Sequence, residues 1–287
     1  MRRLDFTDHR RSLDDNRYVY AVVSRRVGAL SIGINLNPDK VCNFNCPYCQ
    51  VDRRVPSGSG VVDLDRLDEE LDHLLGWVAD GSLWDHAPFD TAPESMRRVG
   101  DISFAGDGEP TSAGEFAGAV ERVIEARARF GLGDVRLSLL TNATLFQRDT
   151  VREGLDMLHG AGGEVWAKLD AGTEAWFHKV DGTQFPFQRV LTNIDYSAGR
   201  YNTVIQSMFH TFDGVGPTDA EVQAWVGRLR DVLDKGGLIR HVQVYSVARR
   251  PSEDTVGRLP DERLEWIAAQ ARALGLDVAV YPGVDWA

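Results

Sequence analysis

Apolar runs alternate with amphipathic segments along most of the chain. This pattern is typical of a parallel sheet whose strands are joined by helices. The predicted strands are Tyr18–Val23, Ala29–Leu36, Asp101–Ala105, Val135–Leu140, Val165–Leu169, Thr203–Phe209, His241–Val247 and Asp277–Tyr281. The predicted helices are Asp63–Val78, Glu115–Phe130, Asp149–His159, Thr173–Lys179, Phe187–Ala198, Thr218–Lys235 and Pro260–Leu274.

Counted from Ala29, the pattern predicts six strand–helix units, and we expect residues 1–287 to form one α/β domain with its core at about 18–250. An N-terminal hairpin with a turn at Arg25-Arg26 precedes these units. Residues 82–100 are expected to be irregular. The segment beyond Arg250 is expected to form an extension at the end or edge of the core.

Candidate chemistry is concentrated in the loop after the second predicted strand. The only cysteines of the chain, Cys42, Cys46 and Cys49, lie there in the spacing Cys-x3-Cys-x2-Cys. Three thiolates on a four-iron cubane leave one iron open for chemistry. A structural zinc ion needs four ligands, and the nearest downstream histidine is His73. An odd number of cysteines disfavours a disulfide framework.

This cysteine spacing, with an aromatic residue directly before the last cysteine, resembles the signature of the radical SAM superfamily. The resemblance implies a partial (β/α)6 barrel of the TIM-like kind. It also implies a [4Fe-4S] cluster on the three cysteines and S-adenosylmethionine (SAM) on the open iron. One electron from the cluster would then cleave SAM to a 5′-deoxyadenosyl radical, which abstracts hydrogen from a substrate.

Three further segments are similar to SAM-binding positions of that superfamily. Tyr48 would contact adenine, and the alternative is a packing role. The run Gly106, Asp107, Gly108, Glu109 resembles a Gly-Gly-Glu-Pro motif that binds the SAM amino group, with Asp107 in place of the first glycine. The alternative there is an ordinary turn. Asn142, in a Thr-Asn-Ala run in place of Thr-Asn-Gly, would approach SAM or would cap the next turn.

Charged and polar residues at other strand ends are candidates for the active site. Lys168 and Asp170 are expected to share one strand face and to act as catalytic residues, and the alternative is a structural ion pair. Gln206 is polar within an apolar strand, which favours a cofactor contact or the satisfaction of a neighbouring strand. The scattered His178, His210 and His241 are expected to be structural.

Composition limits the partners and the location. The chain has 43 acidic and 32 basic residues, a net charge of −11, which disfavours a nucleic-acid substrate. No apolar run is long enough to span a bilayer, and no secretory signal is evident. Thiols that hold iron need a reducing compartment, so we expect a cytoplasmic protein. A flavodoxin or ferredoxin of low potential is the electron donor that the resemblance implies.

Other motifs are similar to those of wyosine-base synthases, which modify tRNA, and of their short single-cluster relatives. Five segments carry this likeness: Asn-Pro-Asp-Lys-Val-Cys at 37–42, Tyr-Cys-Gln-Val-Asp-Arg at 48–53, Gly-Glu-Pro-Thr at 108–111, Lys-Leu-Asp-Ala-Gly at 168–172 and Val-Ala-Arg-Arg-Pro at 247–251. The favoured hypothesis is an enzyme acting on a small molecule or nucleoside-type substrate. The alternatives are a tRNA-modifying enzyme and a non-catalytic protein with a structural zinc or iron–sulfur site.

Overall fold

The computed structural model describes residues 13, 15–24, 27–51, 53, 60–251 and 253–284. The chain divides into two compact units, each drawn from stretches that are separated in the sequence. The first unit comprises Met1–Val41, Pro56–Leu140 and Gln147–Glu164, and the second comprises Cys42–Val55, Thr141–Phe146 and Val165–Ala287. Within the described part of the chain, no helix is both long enough and apolar enough to cross a membrane. The single domain stays a prediction.

The first unit contains a sheet with the strand order β1-β2-β3-β4. Its elements are β1 (Val19–Ser24), β2 (Ala29–Ile34), α1 (Leu64–Asp80), β3 (Val99–Phe104), α2 (Phe116–Arg129), β4 (Arg136–Thr141) and α3 (Asp149–Gly160). β1 is antiparallel to β2, whereas β2, β3 and β4 are parallel. The N-terminal hairpin is thereby confirmed, and its predicted turn at Arg25-Arg26 lies outside the described residues.

Helix α1 begins one residue after the predicted start at Asp63 and ends two residues beyond the predicted end at Val78. The carboxylate of Asp63 accepts a hydrogen bond from the Arg66 amide at 3.1 Å, which caps the first turn. The helix stops at Gly81, whose φ of 80° is the left-handed conformation common at helix ends. Its apolar face is buried through Leu67, Leu71, Leu74 and Leu75. The irregular stretch that follows contains only short 3-10 turns between 82 and 96.

The second unit contains the strand order β5-β6-β8-β10 and a separate two-stranded sheet of β7 and β9. Its elements are β5 (Glu164–Lys168), α4 (Glu174–Val180), α5 (Phe187–Ala198), β6 (Asn202–Met208), β7 (His210–Phe212), α6 (Asp219–Asp234), β8 (Ile239–Tyr245), β9 (Val256–Arg258), α7 (Asp261–Arg272) and β10 (Val278–Tyr281). β8 is parallel to both β6 and β10, so the segment beyond Arg250 extends the sheet edge as expected.

The predicted element order is confirmed, with the ends of each predicted strand and helix within two residues of the observed ends. Each of the strands β2, β3, β4, β5, β6 and β8 is followed along the chain by a helix, which gives the six predicted units. The sequence reasoning missed β7 and β9. These strands have three residues each, which is too short for a periodic pattern to show.

Candidate functional site

The three cysteines lie together on the loop that follows β2 in the chain. All three are half-buried thiols. A backbone hydrogen bond of 2.9 Å from the Cys49 amide to the Cys46 carbonyl closes a tight turn between the last two. The guanidinium of Arg53 donates to the Cys49 sulfur at 3.2 Å. The loop therefore presents its sulfurs in an ordered, partly water-excluded setting.

The charges of Cys42 and Cys49 affect the pKa of the Cys46 thiol. Burial raises the pKa of the Cys46 thiol to about 11. The Lys168 ammonium acts against this rise, and the negative charges of Asp170 and of the other two cysteines add to it. Burial works to lower the pKa of Arg53, but the cysteine thiolates, with Cys49 first, outweigh burial and raise it. Metal binding displaces thiol protons, so a bound metal would offset the negative charges that add to the effect of burial on the Cys46 pKa.

The three thiols form a donor set that an iron–sulfur cluster could use. Among the described residues, no group of three His, Cys, Asp or Glu side chains converges to hold a single metal ion. In a cubane, each cysteine binds a different iron atom, so the sulfurs need not point at one centre. Three thiols within eight residues of one loop are therefore suited to an iron–sulfur cluster.

A short segment after α4 braces the cysteine loop. The Asn45 amide donates to the Asp181 carbonyl at 3.1 Å, and the Thr183 hydroxyl donates to the Asn43 carbonyl at 3.1 Å. Between them, Gly182 packs so closely that a Cβ atom would lie 2.0 Å from the Asn45 carbonyl oxygen. We call residues 181–183 the brace. The sequence carried no motif that pointed to it.

Within the second unit, residues 142–144 also contact the cysteine loop. The side-chain amide of Asn142 donates to the side-chain oxygen of Asn43 at 2.7 Å. The side-chain oxygen of Asn142 accepts from the Thr144 hydroxyl at 2.7 Å and from the Thr144 backbone amide at 3.2 Å. These contacts match the turn-capping alternative for Asn142, and a SAM contact stays a prediction. Ala143, which replaces the expected glycine, has a φ of 58°.

Lys168 and Asp170 form an ion pair of 2.5 Å at the end of β5. Asp170 follows the strand rather than belonging to it, and its carboxylate also accepts from the Tyr48 hydroxyl and, at 2.8 Å, from the Met208 amide. Lys168 contacts Asp181 of the brace as well. The geometry supports the ion-pair alternative, and a catalytic role for either residue stays a prediction.

Tyr48 is held by the same network on one side and by an imidazole on the other. Its ring centroid lies 5.4 Å from that of His210, which begins β7 and is 2% exposed. Burial lowers the His210 pKa, so the imidazole is neutral near pH 7. Sequence reasoning took His210 as structural, and a single histidine after a strand offers no spacing signal that would place it beside Tyr48.

Gln206 lies buried in the middle of β6. Its amide donates to the side-chain oxygen of Gln243 on β8 at 2.8 Å. Both side chains are 4% exposed. The contact is the neighbouring-strand alternative that the sequence left open, and the cofactor contact stays a prediction.

The glycine-rich run lies in the first unit, against the segment between β2 and the first cysteine. A Cβ atom on Gly106 would lie 2.2 Å from the Asn35 side-chain oxygen, and one on Gly108 would lie 2.0 Å from the Val41 carbonyl oxygen. Both glycines are therefore required by close approach.

The two acidic residues of this run have protein partners. The Asp107 carboxylate accepts a hydrogen bond from the side-chain amide of Asn35 at 2.9 Å. Glu109 is 2% exposed, donates its amide to Val41 at 3.2 Å and accepts from the Thr111 hydroxyl at 2.6 Å. Their SAM-binding roles stay predictions.

Two curated proteins are similar to this chain. A protein named GTPase Obg from Brachyspira hyodysenteriae is 25% identical over 257 residues, which cover 88% of this chain and 33% of that protein. A UPF0026 protein from Methanocaldococcus jannaschii is 27% identical over 142 residues, which cover 47% of this chain and 35% of that protein. The chain thus spans about a third of the length of the curated relatives that it matches.

Solved structures share the fold at low sequence identity. A radical SAM methyltransferase from Sphaerobacter thermophilus has a TM-score of 0.60 and 14% identity, over 92% of this chain and 69% of that one. SuiB from Streptococcus suis, bound to S-adenosylmethionine, has a TM-score of 0.58 and 12% identity, over 89% and 52% of the two chains. TYW1 with a lysine-pyruvate adduct has a TM-score of 0.54 and 12% identity, over 85% and 73%.

The family is shown by a sequence model. The model described as the radical SAM superfamily matches residues 36–226, which is more than half of the chain and includes the cysteine loop. The fold class is accordingly the partial (β/α)6 barrel that the sequence predicts. With its three-cysteine loop and this match, the chain belongs to the radical SAM superfamily.

Proposed function

We propose that this radical SAM protein holds a [4Fe-4S] cluster on Cys42, Cys46 and Cys49 and acts on a small molecule or a nucleoside-type substrate. When bound, the cluster and S-adenosylmethionine would supply one-electron reductive chemistry that lets hydrogen be abstracted from a substrate. A one-electron donor of low potential, of the flavodoxin or ferredoxin class, would supply the electron. The observation that carries the proposal is the braced loop with three thiols and no fourth cysteine in the sequence.

The chain's own residues would position the reacting groups. The brace fixes the backbone of Asn43 and Asn45, so it would position the neighbouring Cys46 for the cluster. Asp170 orients the Tyr48 ring through its hydroxyl. Such preorganisation lets a loop bind its cofactor without ordering itself at that moment.

The charge balance supports the small-molecule class over tRNA. A protein that grips a phosphate backbone needs clustered lysines and arginines, and here acidic residues exceed basic ones by 43 to 32. The likeness to TYW1 is one of fold, at 12% identity, and it does not assign a tRNA substrate.

The test is anaerobic reconstitution followed by SAM and dithionite. We expect the native protein to bind about four irons per chain and to release 5′-deoxyadenosine. The variant Cys46→Ala should lose both properties because it removes one of three ligands. The control Gln50→Ala changes an exposed residue of the same loop and should retain both.

Two results would count against the proposal. A fully loaded native protein that leaves SAM intact would favour a non-catalytic iron–sulfur protein. One zinc ion per chain with no iron uptake would favour the structural zinc alternative.

A further inference from the structure

One lysine lies between two buried carboxylates beside the cysteine loop. The Lys168 ammonium is 2.5 Å from an oxygen of Asp170, and its second partner is an oxygen of Asp181. The side chains of the two aspartates are 0% and 1% exposed, and that of the lysine is 16% exposed. Water therefore screens these charges poorly, and each acts strongly on its surroundings.

This charged group lies beside one sulfur of the cysteine loop, that of Cys46. The Asp181 oxygen that pairs with Lys168 lies 3.7 Å from the sulfur of Cys46. The ammonium lies 5.6 Å from the ring centroid of Phe44 and 5.1 Å from that of Tyr48, the residues two positions before and after Cys46. Two aromatic rings of the loop thus lie near one half-buried cation, and one buried anion lies against the middle cysteine.

We propose that Lys168 and Asp181 are positioning residues that act through Cys46 and set the reduction potential of the cluster in opposite directions. The inference rests on the proposed function, since it needs the cluster to be bound. It assigns to these two residues a role separate from contact with substrate.

The physical reason is the charge that reduction adds. One electron from the donor adds one negative charge to the bound cluster and its thiolates. A nearby ammonium stabilises that added charge and raises the potential, whereas a nearby carboxylate opposes it and lowers the potential. Outer residues that contact a metal's ligands are known to tune the metal in this way.

The experiment is a dithionite titration of the reconstituted protein, in which the midpoint potential is read from the electron paramagnetic resonance (EPR) signal of the reduced cluster. We expect Lys168→Met to shift the midpoint to a more negative value and Asp181→Asn to shift it to a less negative value. Lys168→Arg keeps the charge and should stay near the native midpoint.

A matched control pair exists on the surface of the same unit. Lys235 and Asp195 form an ion pair of 2.6 Å with side chains 57% and 23% exposed. Lys235→Met and Asp195→Asn make the same changes of charge in water-screened positions, so they should leave the midpoint in place.

The outcomes separate this inference from the proposed function. If the native protein takes up no cluster, the proposed function fails. If the native protein is loaded but both site variants shift the midpoint in the same direction, or neither shifts it, the inference fails while the function stands. Lys168→Met leaves two carboxylates unpaired, and this variant could fail to take up a cluster. In that case the test is Asp181→Asn: a midpoint less negative than that of Asp195→Asn supports the inference, and an equal midpoint contradicts it.

Discussion

Ala143 has a φ of 58°, in the left-handed region, at the position where the superfamily resemblance expects glycine. This conformation costs an alanine about 1–2 kcal/mol. The Ala143 carbonyl accepts a hydrogen bond from the side-chain amide of Asn193 at 2.7 Å, and the Ala143 backbone amide donates to the Thr141 hydroxyl at 3.0 Å. Both contacts keep the turn in place. The chain therefore retains a strained turn beside Asn142, which contacts the cysteine loop.

We expect Ala143→Gly to leave the free energy of unfolding unchanged or higher, because relief of strain offsets the lost methyl group and the added freedom of the unfolded chain. The control is Ala268→Gly, at a fully buried site in α7. It loses a similar methyl group and about 1 kcal/mol of helix propensity. Urea unfolding of both variants should separate them by about 2 kcal/mol. Equal losses would show that the turn at Ala143 is not strained.

Single residues also show where sequence reasoning stops. The cysteines were identified because their ligand chemistry needs close spacing along the chain. Asp181 was not, since it lies 13 positions after Lys168 and nothing in its neighbourhood marks it as a partner. The two residues meet only because α4 returns the chain to the end of β5. Asn142 and Gln206 are both buried, and the protein partners of their side chains could not be read from one sequence.

Among the elements, the brace depends on one glycine. Gly182 has a φ of 56° and no room for a Cβ atom beside Asn45. Its neighbours Asp181 and Thr183 supply the hydrogen bonds, and the glycine supplies the close approach. A side chain there would push the cysteine loop away from the end of α4.

We expect Gly182→Ala to reduce the iron retained per chain after anaerobic reconstitution and gel filtration. The matched control is Gly236→Ala, because Gly236 has a φ of 79° with nothing within 4 Å of a Cβ atom. Both variants bear left-handed strain of about 1–2 kcal/mol, but only the first displaces the loop. The same iron content in both would contradict the role of the brace.

Most helices and strands could be predicted because their apolar positions repeat over enough residues to show a period. α5 was predicted at its observed bounds, Phe187–Ala198, since its buried face repeats over three turns. β7 and β9 were missed because each has three residues, which is too few for an alternation of apolar and polar positions to show. Their existence depends on a contact between segments more than 40 residues apart.

For the whole molecule, the sequence predicted the fold class through the order of its strands and helices, and the family model agrees with it. The substrate is a different matter. The choice of substrate depends on which side chains meet at the strand ends. The network of Lys168, Asp170 and Tyr48 shows that several candidate residues there already have protein partners. The net charge of −11 narrows the class of substrate without naming one.

The proposed function requires that a loop with three cysteines leave one iron of the cluster available to S-adenosylmethionine. The most direct measurement is the EPR spectrum of the dithionite-reduced, reconstituted protein, recorded with and without S-adenosylmethionine. We expect a cubane signal whose g-values change when S-adenosylmethionine binds, because this ligand would bind to the cluster itself. A spectrum that is identical in both samples, at full iron content, would contradict it.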